Sequence, residues 1–321
     1  MDIFILGTES LGVRGLSCVV QTEESYILLD PGIALGYQRH GLLPHPFQIA
    51  LGRIIRNQIV DCFSSATDII ISHFHGDHVP LADANPYQLS IYSLDRPRHL
   101  AHVWCPGAGD SSDIMQHRRM AISHFLGMDL APSEGLTHGQ ISFSMPMPHG
   151  KAGNNLGSVM MARIEADGTV FVHASDIQLL EWSPVEQILE WEPDIVLVSG
   201  PPVYRNTSNK AFAREAMEKA ICLAQNMDTL ILDHHLLRSS KGMKWLDDLN
   251  ERVPGHVACA ADFMGRKRCL LEAHRECLYK DLPVPDGWHE DYEKTRKDVS
   301  LYTKWRGCDL AKPETWNRKH D

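Results

Sequence analysis

Over the first thirty positions the apolar residues fall in short runs cut by turns, not at helical spacing. Phe4-Ile5-Leu6 is closed by Gly7, Ser17 to Thr22 is β-prone, and Tyr26 to Leu29 stops at Asp30-Pro31-Gly32; each reads as a strand. The proline-bearing loop Leu43-Pro44-His45-Pro46 then gives way to Ile49, Leu51, Ile54, Ile55 and Ile59, whose spacing predicts a helix. Thr67 to Ser72 is a short apolar strand, residues 102–105 another, and Asp113 to Phe125 a helix. Residues 141–147 and 158–164 alternate like paired strands around a loop at His149 to Asn155. Later the pattern alternates: a strand at 170–174, helix near 183–191, strand at 194–198, helix over 208–226, strand at 229–232, helix near 241–252 and strand at 256–260. Strands crowd the first part and alternate with helices afterwards, so the fold class is a layered α/β (α+β) architecture. From about 281 the chain turns rich in Pro, Lys, Asp and Glu. That stretch, 281–321, is expected to be a loosely packed charged C-terminal extension behind one domain over 1–280.

Composition narrows this picture only a little. The 321 residues are 43% hydrophobic and 22% charged, an ordinary globular balance. No run approaches the roughly 18 apolar residues of a membrane span, and MDIFILGTES has no basic residue ahead of its apolar run. It therefore makes a poor signal peptide and a good buried strand. The formal net charge of −10 argues against a nucleic-acid partner, although Arg96, Arg98, Arg118 and Arg119 form a local basic group. The eight cysteines are scattered and form no CxxC pair. Free thiols in a cytoplasmic protein are the simplest expectation.

The chemistry is concentrated directly after the strand at 67–72, in His73-Phe74-His75-Gly76-Asp77-His78. Imidazole nitrogen and carboxylate oxygen at this density suit zinc, iron or manganese. In an extended backbone His73 and His75 point the same way and can share one ion, while Asp77 and His78 turn towards a second. A surface histidine loop is the bland alternative.

This HxHxDH run resembles the signature of the metallo-β-lactamase superfamily. The likeness covers roughly 1–265 and implies a four-layer αββα sandwich, with a catalytic domain over 1–280 and metals at one edge of two sheets. In order along the chain, Asp30 resembles the acidic position that orients the metal loop, and His149 the third histidine of the first site. Asp176 resembles the carboxylate that bridges both ions, and His234 the last histidine of the second site. His235 stays open as the alternate ligand. His149 otherwise reads as a loop histidine and Asp176 as a helix cap; His173 faces elsewhere on its strand and reads as core. Ser10-Leu11-Gly12-Val13-Arg14, His173-Ala174-Ser175-Asp176, Gly200-Pro201-Pro202 and Asp233-His234-His235-Leu236-Leu237-Arg238 are similar to an archaeal-type branch of predicted metal-dependent hydrolases, a likeness that names no substrate.

The resemblance implies a hydrolase using two divalent metal ions, zinc first, with iron or manganese as alternatives. A hydroxide held between the ions would attack a small ester, thioester, lactone or phosphodiester, with Asp77 orienting it. Asp30 and Asp233 are candidates for fixing imidazole tautomers. Tyr204, with Arg205, and Arg14 are candidates for contacting substrate, as is the loop Lys151 to Asn155. A nuclease of the same fold is the first alternative, but Asp176 and His234 are only 58 residues apart, which leaves no room for the inserted domain of β-CASP nucleases. A mono-iron or di-iron redox enzyme is the second, and a metal-stabilised binding scaffold the third. A small-molecule substrate and a monomer or homodimer complete the expectations.

Overall fold

The computed structural model describes residues 1–97, 101–109, 112–153, 156–205, 210–295, 298–299 and 302. Its first sheet holds β1 (Asp2–Gly7), β2 (Ser17–Gln21), β3 (Tyr26–Leu29), β4 (Asp68–Ile70) and β5 (His102–Trp104), in that order. β1 to β3 form an antiparallel meander, and β3, β4 and β5 run parallel. The parallel step from β3 to β4 needs a crossover, which the helix α1 (Pro46–Ser65) supplies.

After α2 (Asp113–Leu126) the chain builds β6 (Thr137–His138), β7 (Ile141–Phe143), the hairpin β8 (Met147–Pro148) and β9 (Ser158–Val159), and β10 (Ala162–Ala166). It then alternates through β11 (Thr169–Ser175), α3 (Ser183–Glu190), β12 (Ile195–Val198), α4 (Lys210–Ala224), β13 (Thr229–Leu232), α5 (Ser240–Arg252) and β14 (Val257–Ala258). The seven-stranded sheet runs β14-β13-β12-β11-β10-β7-β6, parallel from β11 to β14 and antiparallel beyond.

Strand alternation divides the core in two. Ile5, Cys18, Val20, Ile27, Leu29 and Ile70 join the second sheet and Ala220, Leu223 and Leu249 of its helices. Leu6, Val19, Leu28, Ile69 and Ile71 pack against Ile55, Ile59, Cys62 and Phe63 of α1, with Met115 and Ile122 of α2. Helices, sheet, sheet, helices: the expected four-layer αββα sandwich is what forms.

Two expectations are corrected. Past the short helix α6 (Ala260–Phe263) and α7 (Arg275–Asp281), the helix α8 (Trp288–Thr295) is not loosely packed. Its Trp288 and Tyr292, four residues apart on one face, are 5% and 1% exposed and stack on each other, and Tyr292 stacks on Tyr87. The charge that suggested a loose extension lies on the other face; residues 303–321 fall outside the described part. Second, Cys18, Cys62, Cys105, Cys222, Cys259 and Cys277 are free thiols as expected, but Cys269 is disulfide-bonded. Among the described residues no helix is long and apolar enough to cross a membrane.

Candidate metal centre

Parallel strands bring the candidate ligands to one edge. β3 ends at Asp30, β4 runs into His73 to His78, β11 ends at Asp176 and β13 runs into His234 and His235. The β8–β9 hairpin adds His149. This is where open α/β sheets generally bind ligands, outside the carboxyl ends of parallel strands. Asp30, Ser175 and His234 have φ of 45°, 48° and 37°, a left-handed conformation that non-glycine residues rarely adopt and that collects at functional sites. Gly32 lets the Asp30-Pro31-Gly32 turn press on the histidine loop: a Cβ there would lie 2.1 Å from Val79 N and 2.2 Å from the carbonyl carbon of His78.

The carboxylate of Asp176 lies at the middle. The Nε2 atoms of His73, His78, His149, His234 and His235 all stand 3.1 to 3.5 Å from one of its oxygens. Two donor groups flank it. His73, His75, His149 and Asp176 offer ligand atoms within 4.8 Å of one another, and so do Asp77, His78 and His234. His73 Nε2 and His75 Nδ1 are 3.0 Å apart, and Asp77 Oδ2 is 3.5 Å from His234 Nε2. Asp176, His234 and His235 form a further such group, so both histidines of that pair reach the cluster. His78 Nε2 and Asp176 Oδ1 are buried without a hydrogen-bond partner. Buried polar atoms are rarely left so unless an ion or water completes them. The donor set and these orphaned atoms fit a divalent metal.

Outer partners aim the imidazoles. Asp30 Oδ2 accepts from His78 Nδ1 at 2.8 Å, Glu9 Oε2 from His234 Nδ1 at 2.7 Å, and Ser72 Oγ lies 2.9 Å from His73 Nδ1. In each case the other ring nitrogen, Nε2, is turned to Asp176, the arrangement that supports metal-bound histidines. Electrostatics agree. Burial, then His73, lowers the His75 pKa to about 3; burial, then Arg238, lowers that of His235 to about 4. Burial drives His149 and His234 well below the usual value. All four rings are neutral at pH 7. Burial works against protonated His78, but Asp176 and Asp30 outweigh it and hold its pKa well above the ordinary range. Burial likewise opposes ionised Asp176, yet His78, His235, His234 and His149 hold its carboxyl well below the usual range.

Other candidates fare differently. Arg14 does not face the cluster; its Nε donates to Glu272 Oε2 at 2.7 Å and its Nη2 to Glu272 Oε1. A buried carboxylate 258 residues away, invisible to local reading, claims it. Asp233 touches no imidazole but accepts from the backbone N–H of Ser10, His234 and Ala260 at 2.8 to 3.0 Å. It fixes the path of the chain into His234 instead of a tautomer. His173 is core, its Nε2 on the Leu16 carbonyl at 2.9 Å. Tyr204 is half-buried near the cluster, its hydroxyl 3.5 Å from Arg238 Nη1, with the exposed Arg205 over its ring. Lys151 is exposed, and Asn154 and Asn155 lie outside the described residues. Sequence reading gave no role to Glu9, Ser72, Ser175 or Arg238. Arg238 had a signal, since it follows His234 by four residues, one helical turn; Glu9 had none.

With the cluster described, its relatives can be set beside it. A UPF0282 protein of Methanosarcina mazei is 47% identical over 302 residues, covering 94% of this chain and 99% of its own. The chain belongs to the UPF0282 family. UPF0282 members from Methanopyrus kandleri and Pyrococcus furiosus are 33% and 30% identical, over 87% and 89% of this chain and 99% and 96% of theirs. No family model matches the chain. Among solved structures it is similar to a metal-dependent hydrolase of the beta-lactamase superfamily, at 11% identity and a TM-score of 0.48 over 80% of this chain and 94% of that one. A subclass B3 metallo-beta-lactamase from a soil metagenome library is similar at 16% identity and a TM-score of 0.30, over 88% and 94%.

Proposed function

We propose that this UPF0282 chain is a metal-dependent hydrolase of the metallo-β-lactamase type, acting on a small ester, thioester, lactone or phosphodiester. The observation that carries the reading is the convergence of five imidazoles on Asp176 with His78 Nε2 and Asp176 Oδ1 left unpartnered in a buried site. His73, His75, His149 and Asp176 would hold one ion. Asp77, His78 and His234, with Asp176 between, would hold a second. Divalent ions there, zinc first and iron or manganese next, would supply Lewis-acid polarisation of the substrate and acidify a water.

The chain's own residues do the rest. Asp30, Glu9 and Ser72 hold Nδ1 of His78, His234 and His73, so that Nε2 is the nitrogen turned inward; at His78 an ion would displace the proton that Asp176 and Asp30 hold on the ring. Burial disfavours the Asp77 anion, but His78, His234 and Arg238 hold its pKa well below the usual range. With its side chain 19% exposed against 2% for Asp176, Asp77 is the more accessible of the two carboxylates in the cluster and would orient the attacking water. Tyr204, whose hydroxyl lies 3.5 Å from Arg238 Nη1, is the candidate for meeting substrate.

The test is metal analysis of protein purified without added metal, followed by assay on bis-p-nitrophenyl phosphate, a thioester and a lactone. Bound metal with turnover of one of these, absent from Asp176→Ala, is the expected result. Metal-free protein that cannot be loaded defeats the proposal.

A further inference from the structure

One group in the cluster does not suit a second ion. Arg238 ends a short 3-10 turn, Leu236–Arg238, directly after the histidine pair, and is 5% exposed. Its Nε donates to Glu9 Oε1 at 2.8 Å, and its Nη2 reaches His234 Nε2 at 2.7 Å and Asp77 Oδ2 at 3.3 Å. His234 Nδ1 lies 2.7 Å from Glu9 Oε2 and 3.2 Å from the backbone N–H of Gly15. With the ring proton given to the shorter contact, Glu9, Nε2 carries the lone pair turned to the cluster, and the guanidinium already occupies it. Burial disfavours a charge on Arg238, but Glu9, then Tyr204 and Asp77, outweigh that, so the group is a permanent cation beside the acidic ligands of one donor set. Among the described residues no cation touches the other set: the side-chain contacts of His73, His75 and His149 are imidazoles, the serine hydroxyl of Ser72, and Asp176.

We propose that Arg238 is a tethered cation filling the second metal position, so that the centre takes its first ion at His73, His75, His149 and Asp176 and admits a second at Asp77, His78 and His234 only when the guanidinium withdraws. The inference rests on reading the cluster as a metal centre. Two cations cannot share one lone pair, and a divalent ion bound there would also face a like charge in a buried site. The second ion is therefore weaker than the first by about 10- to 100-fold, the worth of one charge-assisted hydrogen bond. The withdrawn side chain would swing towards Tyr204, whose hydroxyl already lies 3.5 Å from Nη1.

The experiment is titration of dialysed full-length protein with Co(II) and Zn(II), followed by visible absorption and calorimetry. Wild type should take one equivalent tightly and a second about 10- to 100-fold more weakly. Arg238→Met should tighten the second step by a similar factor and leave the first within about threefold. Glu9→Gln with Arg238→Met removes both ends of the buried Glu9–Arg238 pair together and serves if the single variant does not fold. Two ions of equal affinity in wild type, or an unchanged second step in the variants, overturns the inference while the metal centre stands. If neither variant folds, crystal structures of wild type at one and two equivalents decide: a guanidinium still on His234 Nε2 with both ions bound overturns it. No ion at either position removes the metal-centre reading and the inference with it.

Discussion

Asp30→Asn tests whether the outer carboxylate sets the coordinating tautomer. Asp30 is fully buried and accepts four hydrogen bonds, from Ser72 N, Ser72 Oγ and His78 Nδ1, each at 2.8 Å, and from Ser175 Oγ at 2.6 Å. Asparagine keeps the shape, and its oxygen can still accept from Ser72 N. Its NH2 must then face His78 and the two hydroxyls. A hydroxyl can rotate to accept; the imidazole can accept only by moving its proton to Nε2, the atom that points at Asp176. Loss of such a support costs about 10- to 100-fold in metal affinity, or about 1.4–2.8 kcal/mol. Metal-free protein should lose about 1.5–3 kcal/mol as one charge-assisted bond disappears. The sign with pH follows. Burial would raise the Asp30 pKa, but His78, by charge and by hydrogen bond, holds it far below the ordinary range. Its stabilisation is complete above the unfolded pKa of about 4 and is lost as pH falls through the folded value. The wild-type advantage should therefore be full at neutral pH and shrink in acid. Chelator competition for zinc and denaturant unfolding with EDTA measure the two effects. Wild-type zinc affinity in Asp30→Asn refutes the tautomer argument.

Four further outcomes follow from the same geometry. His75→Ala and Asp176→Ala should each lose metal and activity while far-UV circular dichroism stays native; full metal retention in both would remove the assignment. His78 is held protonated in the metal-free protein, so ion binding to it at neutral pH should release a proton, and affinity there should rise with pH up to its raised pKa. Calorimetry in buffers of different protonation enthalpy reads that proton, which should be missing from His78→Gln. In Gly32→Ala the new Cβ meets backbone of His78 and Val79 within 2.2 Å, so metal affinity should drop at least about tenfold; an unaltered metal content would show that the turn can yield. Trp288→Ala should cost about 3–5 kcal/mol in denaturant unfolding, and a loss below 1 kcal/mol, about the worth of a surface change, would mean α8 does not dock.

Legibility in the sequence followed the range of the interaction. The strands leading into Asp30, His73, Asp176 and His234 were all readable, because burial of a short strand writes itself as a local apolar run. The pairing of His73 with His75 in the cluster was readable because period-two geometry acts within three residues. What failed were pairings across the chain. Arg14 finds Glu272 at a separation of 258 residues, and Glu9 finds His234 at 225 and Arg238 at 229. Carboxylates and guanidinium groups carry no periodicity, so nothing local marks which of them will be buried together. The charged tail misled for the opposite reason: composition averages over both faces of a helix, whereas packing uses one. Trp288 and Tyr292 suffice to hold α8 against Tyr87 despite five neighbouring charges between Asp286 and Lys294.

The distribution of satisfied and unsatisfied polar groups separates scaffold from reactive atoms. Asp30, Ser72, Ser175, Glu9 and Asp233 sit one layer out, and every carboxylate among them has its hydrogen bonds met by named partners. One layer in, His78 Nε2 and Asp176 Oδ1 have none. A buried group without a partner costs about 1–3 kcal/mol, and the left-handed backbone at Asp30, Ser175 and His234 adds strain of similar order at each position. A fold carrying both costs at one sheet edge keeps them only if the surrounding network over-determines the geometry, which the hydroxyl–carboxylate–imidazole chain through Asp30 does. Left-handed residues also occur at His40, Asp167, Leu179 and Glu192, so the strain adds to what the histidine motif marks and does not locate the edge by itself. Along the inner layer, His234 Nε2 already has a hydrogen-bond partner, Arg238 Nη2, where His78 Nε2 has none. The two donor groups around Asp176 are thus unequal in the folded chain, and the inequality comes from a guanidinium, a group that cannot be neutralised at any physiological pH.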